Sequence, residues 1–313
     1  MKKLDLLLLA FIIVFGFSGH GQIEKREEIK VFFLGGQSNM DGFGYNKDLP
    51  KSLKKEFNNV WIFDGRRSND EDGSGGIGIW EKLRPGHGTG FSSTNKENKL
   101  SERFGVELTF AKKMQEHYPN EKIAIIKYSK GGTSIHKDAA DRFGSWDPTF
   151  KGSEGINQYD HFLKTLELAS ETIDIDNNGI PDRLVPSGIL WMQGESDAHD
   201  EDIANQYYDN LKLLMTLIRG AFRKGDLPIV IGKISDSWNK ESGKVWKYGE
   251  IVQAAQEKLA IEDSNVSIIR STRYYKYSDP YHYDSNSYLD LGEKFACSLL
   301  NLINKNSTKS KCE

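Results

Sequence analysis

The chain has 313 residues, 37% of them hydrophobic, and a formal net charge of −3 at neutral pH. That length and apolar content suffice for a substantial buried core, as one large domain or two small ones. Charge near balance, with Lys and Arg scattered along the chain, excludes the electrostatic footprint of a nucleic-acid binder. Cys297 and Cys312 are the only cysteines, which excludes a disulfide framework or a zinc-finger pattern.

In chain order, Met1-Lys2-Lys3 is followed by an almost wholly apolar run over 6–17 and then by Ser18-Gly19-His20-Gly21. A basic start, an apolar run and small residues have the order of a secretory signal peptide. The run is shorter than the roughly 20 residues needed to span a bilayer. Residues 1–22 are therefore set apart as an export signal, and 23–313 as a single mature domain. Lys30-Val31-Phe32-Phe33-Leu34 reads as a buried strand, halted by Gly35-Gly36 and followed at once by Gln37-Ser38-Asn39-Met40. A second strand falls at 59–63. The glycine-rich stretch 64–99 is too long for a plain connection, and loops of that length usually carry function or lack order. A helix over 102–117 precedes a strand over 122–128, and a helix over 157–173 precedes a strand over 188–192. A helix over 202–221, a strand over 228–234, a helix over 245–262, a strand over 266–269 and a helix over 286–303 complete the chain. Strands alternating with helices predict an α/β fold, a three-layer α/β/α sandwich around a mainly parallel sheet. In an exported protein Cys297 and Cys312 can bridge and tie down the tail, or Cys297 can be a buried thiol; the residues leave both open.

The chemistry collects where strands end. Ser38 follows the first strand, Gly131-Gly132 the third and Gln193-Gly194-Glu195-Ser196-Asp197 the fourth, while Asp279-Pro280-Tyr281-His282 comes soon after the last. In a parallel sheet these loops open on one edge, where ligands bind in open α/β folds. Alone, Ser38 is as good a helix cap as a nucleophile. A serine nucleophile needs a base, and a carboxylate can hold a histidine in the required tautomer. Asp279 and His282, three apart across a proline, have spacing that suits such a pair, although a solvated turn gives the same pattern. His136 is a rival base with no evident carboxylate partner. His87, His117, His161 and His199 read as surface residues. Trp80 and Phe91 either stack on a substrate ring or pin the long loop to the body.

Four segments together resemble the SGNH hydrolase superfamily, in its sialate O-acetylesterase and carbohydrate esterase family 6 (acetylxylan esterase) branch. They are Gly36-Gln37-Ser38-Asn39-Met40, Gly131-Gly132-Thr133-Ser134-Ile135, Trp191-Met192-Gln193-Gly194-Glu195-Ser196-Asp197 and Asp279-x-x-His282. The stretch 104–111 is similar too, and the likeness runs in order from about residue 30 to 300. The resemblance implies a flavodoxin-like three-layer fold and a serine esterase removing O-acetyl groups from sugars or polysaccharides. Carried over by position, Ser38 is the nucleophile, His282 the general base and acid, and Asp279 its orienting partner. The oxyanion hole is expected from the amides of Ser38 and Gly131 and the side chain of Gln193, with Gly132 as the alternative glycine. The wider superfamily has Asn where Gln193 stands. Glu195 and Asp197 are expected to support the loops, and Gln37 and Asn39 to shape the turn. Acetylated carbohydrate is the implied partner; no metal or organic cofactor is required, and no nucleic acid or stable membrane association is expected.

Asp174-x-Asp176-x-Asn178-Gly179-x-x-Asp182 has oxygen ligands in calcium-loop order, with Val185 where the bidentate Glu belongs. It reads as a structural calcium site or as a polar turn. Two other functions share the resemblance: a sugar-binding protein without catalysis, and an esterase for longer acyl chains.

Overall fold

A computed structural model describes residues 26–140, 143–151, 155–241 and 243–305. Seven strands form one sheet: β1 (Glu27–Gly36), β2 (Val60–Asp64), β3 (Trp80–Lys82), β4 (Ile123–Ser129), β5 (Asp182–Met192), β6 (Ile229–Gly232) and β7 (Val266–Ile269). Their order is β7-β6-β5-β1-β4-β2-β3, parallel throughout except for β3 against β2. The helices are α1 (Ser38–Asp41), α2 (Glu107–His117), α3 (Gln158–Glu171), α4 (Glu201–Ala221), α5 (Gly249–Glu262) and α6 (Ser285–Ile303). Helices α2 and α6 pack on one face; α3, α4 and α5 pack on the other. This is the three-layer sandwich of the sequence reading.

β1 shows why both faces are covered. Consecutive side chains on a strand point to opposite faces. Phe32 meets Phe110 of α2 edge-on at 5.3 Å, while Phe33 meets Phe162 of α3 at 4.7 Å. A strand apolar at successive positions is stable only between two helical layers. The chain lays down β2 and β4 on one side of β1, then crosses to β5 on the other. The end of β1 is thus the topological switch point, where a crevice opens in such sheets. Gly36 pairs with Ser129 of β4 and Met192 of β5, so three strand ends stand level there. Gly36 has a φ of +144°, and a Cβ on it would lie 2.0 Å from the Met192 carbonyl oxygen. Only glycine fits.

Tertiary pairing moved several predicted boundaries. Strand β5 begins six residues before the expected start and runs through Pro186, with a register shift opposite Val31–Phe32 that accommodates the missing N–H. Helix α2 starts at Glu107 because Arg103–Phe104 pairs with Gly44–Tyr45. Helix α5 starts at Gly249 because the Asp236 carboxylate takes the amides of Val245 and Trp246. The 64–99 stretch is ordered and supplies the edge strand β3. Trp80 donates to the Ala169 carbonyl at 3.0 Å and Phe91 is buried, so both pin this loop to the body. His87 and His161 are buried, contrary to the surface expectation. His161 bonds Tyr128 and the Asp72 carbonyl, and His87 bonds Asp64. The export signal at 1–22 lies outside the described residues. Cys297 is disulfide-bonded, and Cys312, the only other cysteine, also lies outside them.

Candidate active site

The loop ends converge on a cavity of about 750 Å³, whose lining includes Gln37, Ser38, Phe43, Gly131, Tyr281 and His282. Ser38 is the first residue of α1, and Gln37 holds the cap position without a side-chain cap bond. The Ser38 hydroxyl therefore does not serve as a helix cap. Beneath it, the turn is clamped from behind. The Lys127 ammonium, fully buried, donates to the carbonyls of Asp41 and His87 at 2.9 and 2.7 Å and to the Glu107 carboxylate at 2.9 Å. Arg67 bridges Asp41 and Asp64, and Asp64 accepts from His87. Buried charges are tolerable only when paired in this way.

His282 reaches the cavity from the loop between β7 and α6. Its Nδ1 lies 2.8 Å from Asp279 Oδ2, while Asp279 Oδ1 accepts the amides of Tyr281 and His282 at 2.8 and 2.9 Å. Burial alone would raise the Asp279 carboxyl; the bonds from His282 and these amides outweigh it and hold the group below its ordinary value. The imidazole stacks flat on Phe43, with ring centroids 3.5 Å apart and planes 3° off parallel. Asp279 and Phe43 together fix the ring in plane and tilt, with Nε2 free of protein partners among the described residues.

Asn39 joins the turn after β1 to the 193–197 and 279–282 loops. Its Nδ2 donates to Glu195 Oε1 at 2.8 Å and to the Tyr281 carbonyl at 3.2 Å, and its Oδ1 accepts from Tyr288 Oη at 2.7 Å. It was read as a turn-former; it is a tie between segments more than 240 positions apart. Glu195 is fully buried, and its Oε2 has no hydrogen-bond partner among the described residues. Burial pushes this carboxyl up to about 7, against the pull of the Asn39 bond.

Gln193 differs from the sequence expectation. Its Nε2 donates to Asp197 Oδ2 at 2.6 Å and to the Thr133 carbonyl at 3.2 Å, and its Oε1 accepts from Tyr207 at 3.0 Å. Fully buried and absent from the cavity wall, it has no donor left for an oxyanion. Its amide instead braces the 131–135 turn. Asp197 braces the same turn by accepting the amides of Ile135 and His136 at 3.0 and 2.9 Å, while burial raises its carboxyl to about 6.

The residue that does face the cavity is Gln37, which the sequence reading took for a turn-former. Its Oε1 accepts the Gly194 amide at 3.2 Å, and its Nε2 has no acceptor among the described residues. Gly131 abuts the serine: a Cβ on Gly131 would lie 3.4 Å from Ser38 Cβ, whereas one on Gly132 would meet the Phe143 ring. Among the described residues the amides of Ser38 and Gly131 have no acceptor. His136 is held away from this arrangement by Gln206 and the Asp138 amide. His199 lines the cavity against Trp246.

The 174–182 loop lies apart. Oxygens of Asp174, Asp176 and Asp182 come within 4.8 Å of one another. Asn178, the fourth predicted ligand, instead donates its side-chain amide to Glu27 at 3.0 Å. The Lys122 ammonium already pairs with Asp176 and Glu27, and Asp174 and Asp182 accept loop amides.

A parallel α/β/α sandwich with a Gly-Gln-Ser turn after its central strand and Asp-x-x-His returning to it is a fold of the SGNH hydrolase type. The family model for "Carbohydrate esterase, sialic acid-specific acetylesterase" (SASA) matches residues 28–301, and the chain belongs to that family. Among solved structures it is similar to a protein from Arabidopsis thaliana (21% identity, 87% of this chain and 98% of that one, TM-score 0.59). It is also similar to a carbohydrate acetylesterase from Xanthomonas citri (15% identity, 88% and 57%, TM-score 0.59). A third similar structure is NanS (14% identity, 91% and 100%, TM-score 0.56). At these identities the likeness establishes the fold. No curated protein matches.

Proposed function

We propose that this protein is a serine O-acetylesterase of acetylated carbohydrates, acting by double displacement at Ser38. The observation that carries the reading is the convergence on one cavity of Ser38, two amides without acceptors and a histidine bonded to a carboxylate. Ser38 Oγ attacks the acetyl carbonyl while His282 Nε2 takes the hydroxyl proton; such contacts often tighten only when substrate is bound. The amides of Ser38 and Gly131 and the Nε2 of Gln37 hold the oxyanion. His282, kept in the right tautomer by Asp279, returns the proton to the departing sugar oxygen. Water then adds to the acetyl-serine with His282 as base, and acetate and free serine are released. In each half-reaction His282 takes one proton and returns it, first to the sugar oxygen and then to Ser38 Oγ, so the protons balance. No cofactor enters this scheme.

The N-terminal pattern supports export of a single mature domain. Among the described residues no helix is long and apolar enough to cross a membrane. Acetate release from a panel of acetylated polysaccharides and sialic acids, by wild type and Ser38→Ala, tests the reading. Release by wild type alone is expected. A wild type that binds these sugars without releasing acetate defeats it, as does rising activity from acetate to octanoate esters.

A further inference from the structure

Two aromatic residues beside the cavity are not used by the chemistry above. Trp238 is 62% exposed, and Tyr281, adjacent to His282, is 41% exposed. The loop carrying Trp238 is built rather than slack. The Asp236 carboxylate accepts the amides of Trp238, Val245 and Trp246 at 2.7, 3.0 and 2.8 Å and so gathers both arms of the loop. Ser237 Oγ donates to the Pro280 carbonyl at 2.8 Å, which fastens the loop to the segment bearing His282. Trp238 adopts a φ of +57°, a left-handed conformation costly for a bulky residue. The Lys244 ammonium, 5.7 Å from the indole centroid, steadies the ring from one side. Deeper in, Trp246 backs Tyr281 at 5.7 Å, and Lys240, itself part of the cavity lining, stands 5.3 Å over Tyr281.

Position assigns the use. His282 hands its proton to the leaving hydroxyl, so the sugar must lie on the side of the cavity formed by the 279–282 loop. Tyr281 is next to that histidine, and Trp238 follows Ser237, whose hydroxyl is bonded to the Pro280 carbonyl. Strain opposes folding and the exposed indole gains nothing from it, whereas a rigid aromatic face offers the C–H face of a pyranose chair a stacking surface at little entropic cost.

We propose that Trp238, with Tyr281 inside it, forms a stacking subsite for further sugar units of an oligosaccharide or polysaccharide, so that the substrate is a glycan chain and not a lone acetylated monosaccharide. This rests on the acetylesterase reading of the same cavity. Trp238 is a specificity residue, remote from the reacting atoms.

The test compares kcat/KM for acetate release from O-acetylated xylose and xylotetraose, and from O-acetylated sialic acid and its tetramer, with wild type, Trp238→Ala and Trp238→Phe. The wild type should prefer the tetrasaccharide in one of the two series. Trp238→Ala should lower that preference about five- to tenfold, within the range for one aromatic contact, mainly by raising KM, and Trp238→Phe should restore most of it. A wild type that cleaves monomer and tetramer equally, or a Trp238→Ala variant that keeps the preference, overturns the subsite and leaves the esterase standing. A wild type that releases acetate from none of the four overturns the esterase reading and the subsite with it.

Discussion

Replacing Glu195 by Gln should alter stability in a pH-dependent way. The wild-type carboxyl has an ordinary value of 4.5, and burial raises it to about 7 in the folded protein. The folded state thus keeps a proton that the unfolded chain has already released. Wild-type stability contributed by this group is full below about pH 4.5 and is lost as pH rises through about 7, where the buried, half-partnered carboxylate must ionise. A displacement from 4.5 to about 7 corresponds to about 3 kcal/mol. Glutamine copies the protonated acid: its oxygen still accepts from Asn39, and it never ionises. Denaturant unfolding of both proteins at pH 4 and pH 8.5 should show near-equal stability at the lower pH. At the higher pH Glu195→Gln should be the more stable by up to about 3 kcal/mol. A difference that stays constant, or that favours the wild type more at high pH, would refute the reasoning.

The two glutamines should separate in kinetics. Gln37→Ala should lower kcat by about 10²–10³, the usual loss of one oxyanion donor, with KM little changed. Gln193→Ala should show its main effect in denaturant unfolding, at about 1–3 kcal/mol, because Asp197 and the Thr133 carbonyl lose a buried partner. Asp279→Asn should leave the fold intact and cut kcat about 10²–10⁴-fold on an acetyl ester, since Asn can stabilise the wrong tautomer of His282.

Much of the architecture was legible because the sheet is buried on both faces. β1, β2 and β4 each carry a four-residue apolar run, at 31–34, 60–63 and 123–126, and nothing but two helical layers can cover Phe32 and Phe33. The edges were less legible. β3 hides in a polar stretch because an edge strand needs only its pairing to β2. The start of α5 depends on a carboxylate at Asp236, nine residues before the Val245 amide that it holds. At the site, glycines and Asp-x-x-His announced themselves by local spacing, whereas Gln37 and Gln193 are chemically alike and differ only in direction. The Gln193 side chain is taken up by Asp197 and Tyr207, whereas Gln37 lines the cavity at the switch point. Sequence offered one clue that could have been weighed more heavily: Gln37 sits directly before the serine, where its side chain must share the crevice. Asn39 escaped for a similar reason, as its partners lie 156 to 249 positions away.

The most direct test of the central claim is rapid acid quench of the enzyme turning over p-nitrophenyl acetate, followed by peptide mass mapping. One acetyl group on the peptide containing Ser38, formed faster than steady-state turnover and absent in Ser38→Ala, is the predicted result. An acetyl group on another residue, or steady turnover that persists in Ser38→Ala, would contradict it.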